Sequence, residues 1–326
     1  MMPSTKLALL AGVVILLIAG YTLVWFQLAD RLRERVESFL VNLGDQGLVA
    51  ECDNLEVRGY PFRIGVFCDA IRAENGGEFT VAADAFRSAA QVYEPGHIVS
   101  ELDGPIKVHL DSGEDFGAEW EVLRASTVFS TDGLMRASLE GRAIDGDVVL
   151  AAGTQAGISA ESAELHARRR GSDLDLAVRA TGAGIDETIA GAALPAVDVA
   201  AEATLHDGAG FLGERAIEPA ALRGSSGQLD NARLILPEGA ALTLSGPFDI
   251  AEDGEISGAF AVTVKEPANM VEAFAALFPE YRVEIEKGAG LITSFGGGQD
   301  GLSFDLQVRK GRVFVGIIPL GRIPPI

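Results

Sequence analysis

Glu51–Asp69 reads ECDNLEVRGYPFRIGVFCD, and the reading of this stretch decides the fold. Leu55 and Val57 on one side, and Ile64 and Val66 on the other, are strand formers. Gly59-Tyr60-Pro61-Phe62 lies between them, and Gly and Pro supply turn geometry. The spacing predicts an antiparallel hairpin with Tyr60 at its midpoint, which puts Cys52 directly opposite Cys68. Opposed Cβ atoms lie about 4.5–5.5 Å apart and a disulfide needs about 3.5–4.5 Å, so modest adjustment allows a bridge. Two buried thiols in a reducing compartment are the competing reading. These are the chain's 2 cysteines, and their matched positions behind an apolar N-terminal segment favour the disulfide.

That segment runs uncharged from Leu7 to Ala29. As a helix it is roughly 35 Å long, enough to cross a hydrocarbon core of about 30 Å. Tyr21, Trp25 and Phe26 cluster at one end, as interfacial aromatics do. A cleaved signal peptide has a shorter apolar region and a small-residue cleavage site; Trp25-Phe26-Gln27-Leu28 is a poor one, so an uncleaved anchor is expected. Arg31, Arg33 and Arg35 lie after the span and Lys6 before it, so the positive-inside rule does not favour exporting the C-terminal part of the chain. The expected disulfide does favour export. Beyond the span, Leu28, Leu32, Val36, Phe39, Leu40 and Leu43 recur at helical spacing, with Gly44 as the stop. This predicts a stalk helix packed on the domain.

An N-terminal anchor, Cys52, the run Leu55-Glu56-Val57-Arg58-Gly59-Tyr60-Pro61-Phe62-Arg63 and then Cys68 together resemble the bacterial domain of unknown function 2125 family. The resemblance implies a single-anchor envelope protein with a large β-rich domain facing the periplasm, and it brings no established activity. It also suggests that Gly59, Tyr60, Pro61, Phe62 and Arg63 do more than turn the chain, as a docking tip. The closing Gly316-Ile317-Ile318-Pro319-Leu320-Gly321-Arg322-Ile323-Pro324-Pro325-Ile326 is similar in pattern to the endings of AsmA-like, lipid-handling envelope β-proteins.

The 326 residues carry 26 basic against 47 acidic side chains, a net charge of −21. Nucleic acid and anionic lipid surfaces want Lys/Arg patches, so neither is an expected partner of this exterior. Hydrophobic residues make up 48%, enough for a sizeable core, while aromatics are only 7% and glycines number 39. Many turns and close-packed β-structure are expected from that balance.

After the hairpin, short strands alternate with turn signals. Phe79–Phe86, Gly104–Leu110, Ala118–Phe129, Leu134–Leu139 and Leu174–Val178 read as strands, several of them apolar on one side only. Ser112-Gly113, Asp132-Gly133, Glu140-Gly141 and Asp145-Gly146 read as turns. Helices are expected over 185–194, over 211–222, where Pro219 makes it short or broken, and, most clearly, over Pro267–Phe278, where Met270, Val271, Phe274, Leu277 and Phe278 form one face. At the end, folding about Lys310-Gly311 sets Val308 against Val313, Leu306 against Val315 and Phe304 against Ile317. Pro319, Pro324 and Pro325 are expected to stop further pairing.

Chemistry is hard to place. Gly208-Ala209-Gly210-Phe211-Leu212-Gly213 matches G-x-G-x-x-G with Asp230 downstream, but the preceding segment carries Asp198, Glu202 and His206, unlike a buried parallel strand. His97, His109, His166 and His206 lack metal-ligand spacing. No nucleophile elbow occurs, and Gly296-Gly297-Gly298 lacks the Lys-Ser/Thr of a phosphate loop. Asp145/Asp147 and Asp173/Asp175 read as the solvated side of strands, and Arg168-Arg169-Arg170 as a turn flank. No catalytic residue, metal or cofactor is assigned.

The expected architecture is mainly β: a transmembrane anchor over 1–29, an amphipathic stalk over 30–44, and a domain over 45–326 built on a large antiparallel, curved or sandwich-like sheet with a few packing helices. The expected protein sits in the inner membrane with its domain in the periplasm. It binds a lipid or other hydrophobic ligand in an apolar groove, with Phe304, Leu306, Val313 and Val315 as ligand-facing residues. The alternative is a scaffold that positions a β domain for an envelope protein partner.

Overall fold

Pro3–Asp45 forms one unbroken helix, α1, in this computed structural model, which describes residues 3–149, 155–185, 194–213, 219–277, 282–293 and 301–326. Its N-terminal part is fully exposed and long and apolar enough to cross a membrane. Its C-terminal part buries Trp25 and Ala29 and half-buries Leu32, Val36, Leu40 and Leu43 at helical spacing. That stripe packs on the first two strands, so stalk and span are one helix. Leu28 and Phe39, expected on the same face, are exposed instead. The helix runs one residue past Gly44, and Gly47, at φ +88, takes the left-handed conformation just beyond its end.

The chain divides into two compact units, Met1–Gly113 and Glu114–Ile326. The first contains two antiparallel ladders. β1 (Leu48–Asp53) pairs with β4 (Ala70–Asn75), β4 with β5 (Phe79–Ala83), and β5 with β8 (Ile106–Leu110). β2 (Glu56–Arg58) pairs with β3 (Arg63–Cys68), β3 with β6 (Phe86–Gln91), and β6 with β7 (Glu94–Leu102).

The disulfide joins Cys52 to Cys68, with Cα atoms 5.2 Å apart. Its setting differs from a simple hairpin. Val57 faces Val66, so the β2–β3 register is shifted from a Tyr60 midpoint, and Cys52 belongs to β1, where it faces Ile71. The cause is Asn54, whose left-handed φ of 53 ends β1 and lets the chain change ladders before β2. The bridge therefore ties one ladder to the other.

The second unit is an up-and-down meander. β10 (Val122–Ser130), β11 (Gly133–Val149), β12 (Gln155–Arg170), β13 (Asp173–Ile185) and β14 (Leu194–Leu205) pair in sequence. β15 (Ser226–Ile235), β16 (Ala241–Ile250), β17 (Ile256–Lys265), β18 (Gly301–Arg309), β19 (Arg312–Val315) and β20 (Ile318–Arg322) continue it, every pair antiparallel. β9 (Asp115–Glu119) pairs with the far half of β11. Two glycines read as turns lie inside β11: a Cβ on Gly141 would meet Ile144 at 2.7 Å, and one on Gly146 would meet Ile158 at 3.0 Å. They are glycines because neighbours pack over them.

The terminal hairpin turns at Lys310-Gly311 as expected, with Val308 facing Val313 and Leu306 facing Val315. Phe304 faces Val262 rather than Ile317, because Gly316 at positive φ turns the chain again and leaves Ile317 95% exposed. Pro319 does not stop pairing. Within β20 it faces Phe314 of β19, and among the described residues β20 pairs with β19 alone, so the missing amide donor falls on an edge strand.

α2 (Pro267–Leu277) is the expected packing helix, with Phe278 outside the described residues. Met270, Leu236 and Ala240 form a buried cluster with Leu234, Leu242, Val264 and Phe274 against it. α3 (Arg282–Thr293) comes next. Of the helix expected over 185–194, residues 186–193 lie outside the described residues, and Ile185 and Leu194 end strands. Of the one expected over 211–222, residues 214–218 lie outside, and Gly208–Phe211 and Pro219–Leu222 are single 3-10 turns.

Candidate functional site

Side chains of a strand alternate between faces, and directly paired residues share a face. In the second unit this sorts whole rows. Leu139 faces Leu165, then Val178, Ala201, Ala232, Leu244, Val262 and Phe304 across eight strands. The next row along the same face reads Gly141, Ala163, Ala180, Val199, Leu234, Leu242, Val264 and Leu302. The row on the opposite face reads Glu140, Glu164, Arg179, Ala200, Arg233, Thr243, Thr263 and Ser303. The sheet is thus apolar on one side and polar on the other.

The apolar side is unevenly covered. α2 covers the Leu234–Leu242–Val264 region. At another edge Leu174 and Leu205 are buried beside Gly208 and Ala209 of the 3-10 turn. Between these lies an open area in which Leu139, Leu165, Leu176 and Val178 are 36–49% exposed. Their neighbours there are Ala137, Ala163, Ala167, Ala180 and Ala203, small residues that make a smooth aliphatic floor.

Phe304, Leu306, Val313 and Val315 are half-buried, and all four lie on this same face. The open residues are on β11–β13 instead. Their one-sided alternation is legible, since Leu134–Leu139 and Leu174–Val178 read as strands apolar on one side. That pattern does not say which stretch of a face a helix will cover.

The polar side carries an open cleft of about 780 Å³ lined by Arg136, His166, Arg168, Arg170, Asp175, Glu202, Thr204 and Asp230 among others. Arg168 faces Asp175 across the β12–β13 ladder, and Asp175 faces Thr204 across β13–β14. Arg168 donates to Asp175 at 2.7 Å and Arg170 donates to it at 3.0 Å. The buried Thr204 hydroxyl lies 3.3 Å from Asp175 and 3.4 Å from Asp230. These donors, Arg168 foremost, hold the Asp175 carboxyl below its ordinary value, and burial opposes them. Arg169, on the other face, donates to the Ala209 and Asp132 carbonyls. The arginine cluster is therefore taken up by the sheet's own groups.

A group with a lowered folded pKa stabilises the fold above the ordinary carboxylate range, and that contribution is lost as pH falls through the folded value. Asp175→Asn should lower the melting temperature by about 2–4 °C at pH 7, as expected for loss of roughly 1 kcal/mol from a half-exposed ion-pair network. The difference from the parent should vanish below the Asp175 titration, read by carboxyl NMR; an equal difference at acid pH would contradict the network's role.

His166 contacts Ser138 at 3.0 Å and Glu164 at 3.4 Å. Among the described residues no group of three His, Cys, Asp or Glu side chains is placed to hold a metal. The G-x-G-x-x-G run lies between β14 and β15, antiparallel neighbours in a meander. A dinucleotide fingerprint joins a parallel strand to a helix, so the match is one of letters. Residues 296–298 lie outside the described residues.

The Gly59–Arg63 tip grips α1. Tyr60 stacks on Phe26 with ring centroids 5.8 Å apart and meets the edge of Trp25 at 5.5 Å. Its hydroxyl shares a hydrogen bond with Thr22 at 2.8 Å. Trp25 Nε1 donates to the Arg63 carbonyl at 3.0 Å, and the Tyr21 hydroxyl donates to the Pro61 carbonyl. Gly59 sits at φ +122, where a Cβ would meet the Arg63 carbonyl oxygen at 2.9 Å. These contacts account for the residue types in the motif: a glycine to turn, a tyrosine to stack and hydrogen-bond, and two carbonyls presented to the helix.

No curated protein and no solved structure matches the chain. A family model described as an uncharacterized protein conserved in bacteria, DUF2125, matches residues 25–324, a span that begins at the buried Trp25 and takes in the disulfide, the tip and the meander. On that match the chain belongs to the DUF2125 family.

Proposed function

We propose that the chain is a single-pass inner-membrane protein whose domain faces the periplasm and holds a lipid, or another hydrophobic ligand, on the apolar face of its second unit. The observation that carries this reading is the open aliphatic area of Leu139, Leu165, Leu176 and Val178 between two covered regions of one face. A protein-binding surface is enriched in Tyr, Trp, Met and Arg, whereas this floor is Leu, Val and Ala. Acyl chains ask for that composition, with no hydrogen-bond partner required.

Two features support the location. Trp25 and Ala29 are buried against the domain, so a helix cleaved near its apolar end would unpack it. The Cys52–Cys68 bridge belongs to an oxidising compartment.

The test is photo-crosslinking of the full chain in mild detergent, using a phosphatidylethanolamine with a diazirine on its acyl chain. The expected result is labelled peptides from β11–β13. Labels confined to α1 would overturn lipid binding by this face and turn attention to the scaffold alternative.

A further inference from the structure

We propose that the tip at Tyr60–Phe62 and the neighbouring turn at Tyr93 are seated in the outer interface of the bilayer that α1 crosses, from the headgroup layer into the upper acyl region, so that a lipid surface is the binding partner of this end of the first unit. This seating uses α1 as the anchor but is independent of ligand binding in the second unit.

Height along α1 sets the depth of the tip. An α-helix rises about 1.5 Å per residue, so Tyr21 lies about 21 Å and Phe26 about 28 Å along α1 from Leu7. The hydrocarbon core is about 30 Å thick. Lys6 resists entry into hydrocarbon, which sets Leu7 near the inner boundary. Tyr21 through Phe26 then lie at or below the outer boundary, and tilt of the helix only lowers them further. The tip is fastened to these same residues: Pro61 to Tyr21, Tyr60 to Thr22, Trp25 and Phe26, and Arg63 to Trp25. An element bonded there cannot stand clear of the membrane surface.

What the tip exposes fits that depth. Phe62 is 70% exposed, Tyr93 72%, Phe26 53% and Tyr60 43%. The Val92 amide donates to the Phe62 carbonyl at 3.0 Å, which sets Tyr93 beside the tip. Large exposed aromatics on two adjacent turns are costly in water, and Tyr and Trp concentrate at the membrane–water interface. The flanking Arg63 and Glu94 are exposed and suit a headgroup layer better than hydrocarbon.

The experiment places the full chain in lipid nanodiscs of phosphatidylcholine with or without bromine on the acyl chains. Phe62→Trp and Tyr93→Trp each add one tryptophan, and the parent's emission is subtracted. The expected result is about a twofold or greater loss of the added emission in brominated discs, with shielding from aqueous iodide, as for an interfacial aromatic. Equal emission in both discs, with full quenching by iodide, would overturn the proposal. Leu165→Glu, which tests the face of the second unit, should leave this quenching unchanged, so the two readings fail separately. A chain that does not enter the discs at all would overturn the anchor itself.

Discussion

Reducing the Cys52–Cys68 bridge, or replacing both residues with Ser, should lower the first melting transition of the full chain in detergent by roughly 10–20 °C. The bridge spans a sequence separation of 16, and closing a loop of about that length removes roughly 3 kcal/mol of unfolded-chain entropy. Here the loop contains β2 and the tip, and its two ends belong to different ladders. Without the bridge, the left-handed Asn54, the Asp69 amide's hydrogen bond to the Asp53 carbonyl and the Asn54 side-chain amide's hydrogen bond to the Asp69 carboxylate remain at that junction. Calorimetry with and without reductant reads the effect. A shift under about 3 °C, less than 1 kcal/mol for a unit of this size, would mean that packing alone holds the ladders together.

Leu165→Glu combined with Val178→Glu should cut acyl-chain crosslinking to β11–β13 by tenfold or more while leaving the fold intact. Leu165 faces Val178 across the β12–β13 ladder, and both are more than 40% exposed. In the free protein the new carboxylates therefore stay hydrated, and stability should change by less than about 1 kcal/mol, as for most surface substitutions. A bound acyl chain would strip their water. Burying an unpaired carboxylate costs several kcal/mol, and each 1.4 kcal/mol is about tenfold in affinity. Crosslinking that survives the double substitution would sink the apolar-face reading. A large loss of stability would show instead that these residues are closed core.

Much of the fold is legible in the sequence because it depends on local pattern. The long apolar helix comes from an uncharged run of sufficient length, and the meander from period-two alternation broken by Gly-containing turns. The Val308–Val313 and Leu306–Val315 pairs arise because a two-residue turn leaves one register in which both apolar sets share a face. The pairing of the two cysteines is legible for a related reason, since a short segment rich in turn formers brings its ends together.

The departures share a cause. Cys52 reads as part of the strand running to Arg58, yet Asn54 breaks that strand and the cysteine pairs in another ladder. Glu140-Gly141 and Asp145-Gly146 look like turns, yet Ile144 and Ile158 pack over those glycines inside a single long strand. Pro319 looks like a terminator, yet an edge strand needs no donor on its outer side. In each case the residue type has two uses, and only its neighbours in space select one.

The character of each sheet face is written in the chain itself. Alternation commits a strand to one apolar and one polar side whatever its neighbours are, because successive side chains point in opposite directions. Which part of the apolar side is covered is a matter of tertiary structure. α2 comes from between β17 and β18 and lies over Leu234, Leu242 and Val264, while Leu139, Leu165, Leu176 and Val178 remain open. Burial depends on how far α2 reaches across the sheet, and no local pattern in β11–β13 encodes that distance.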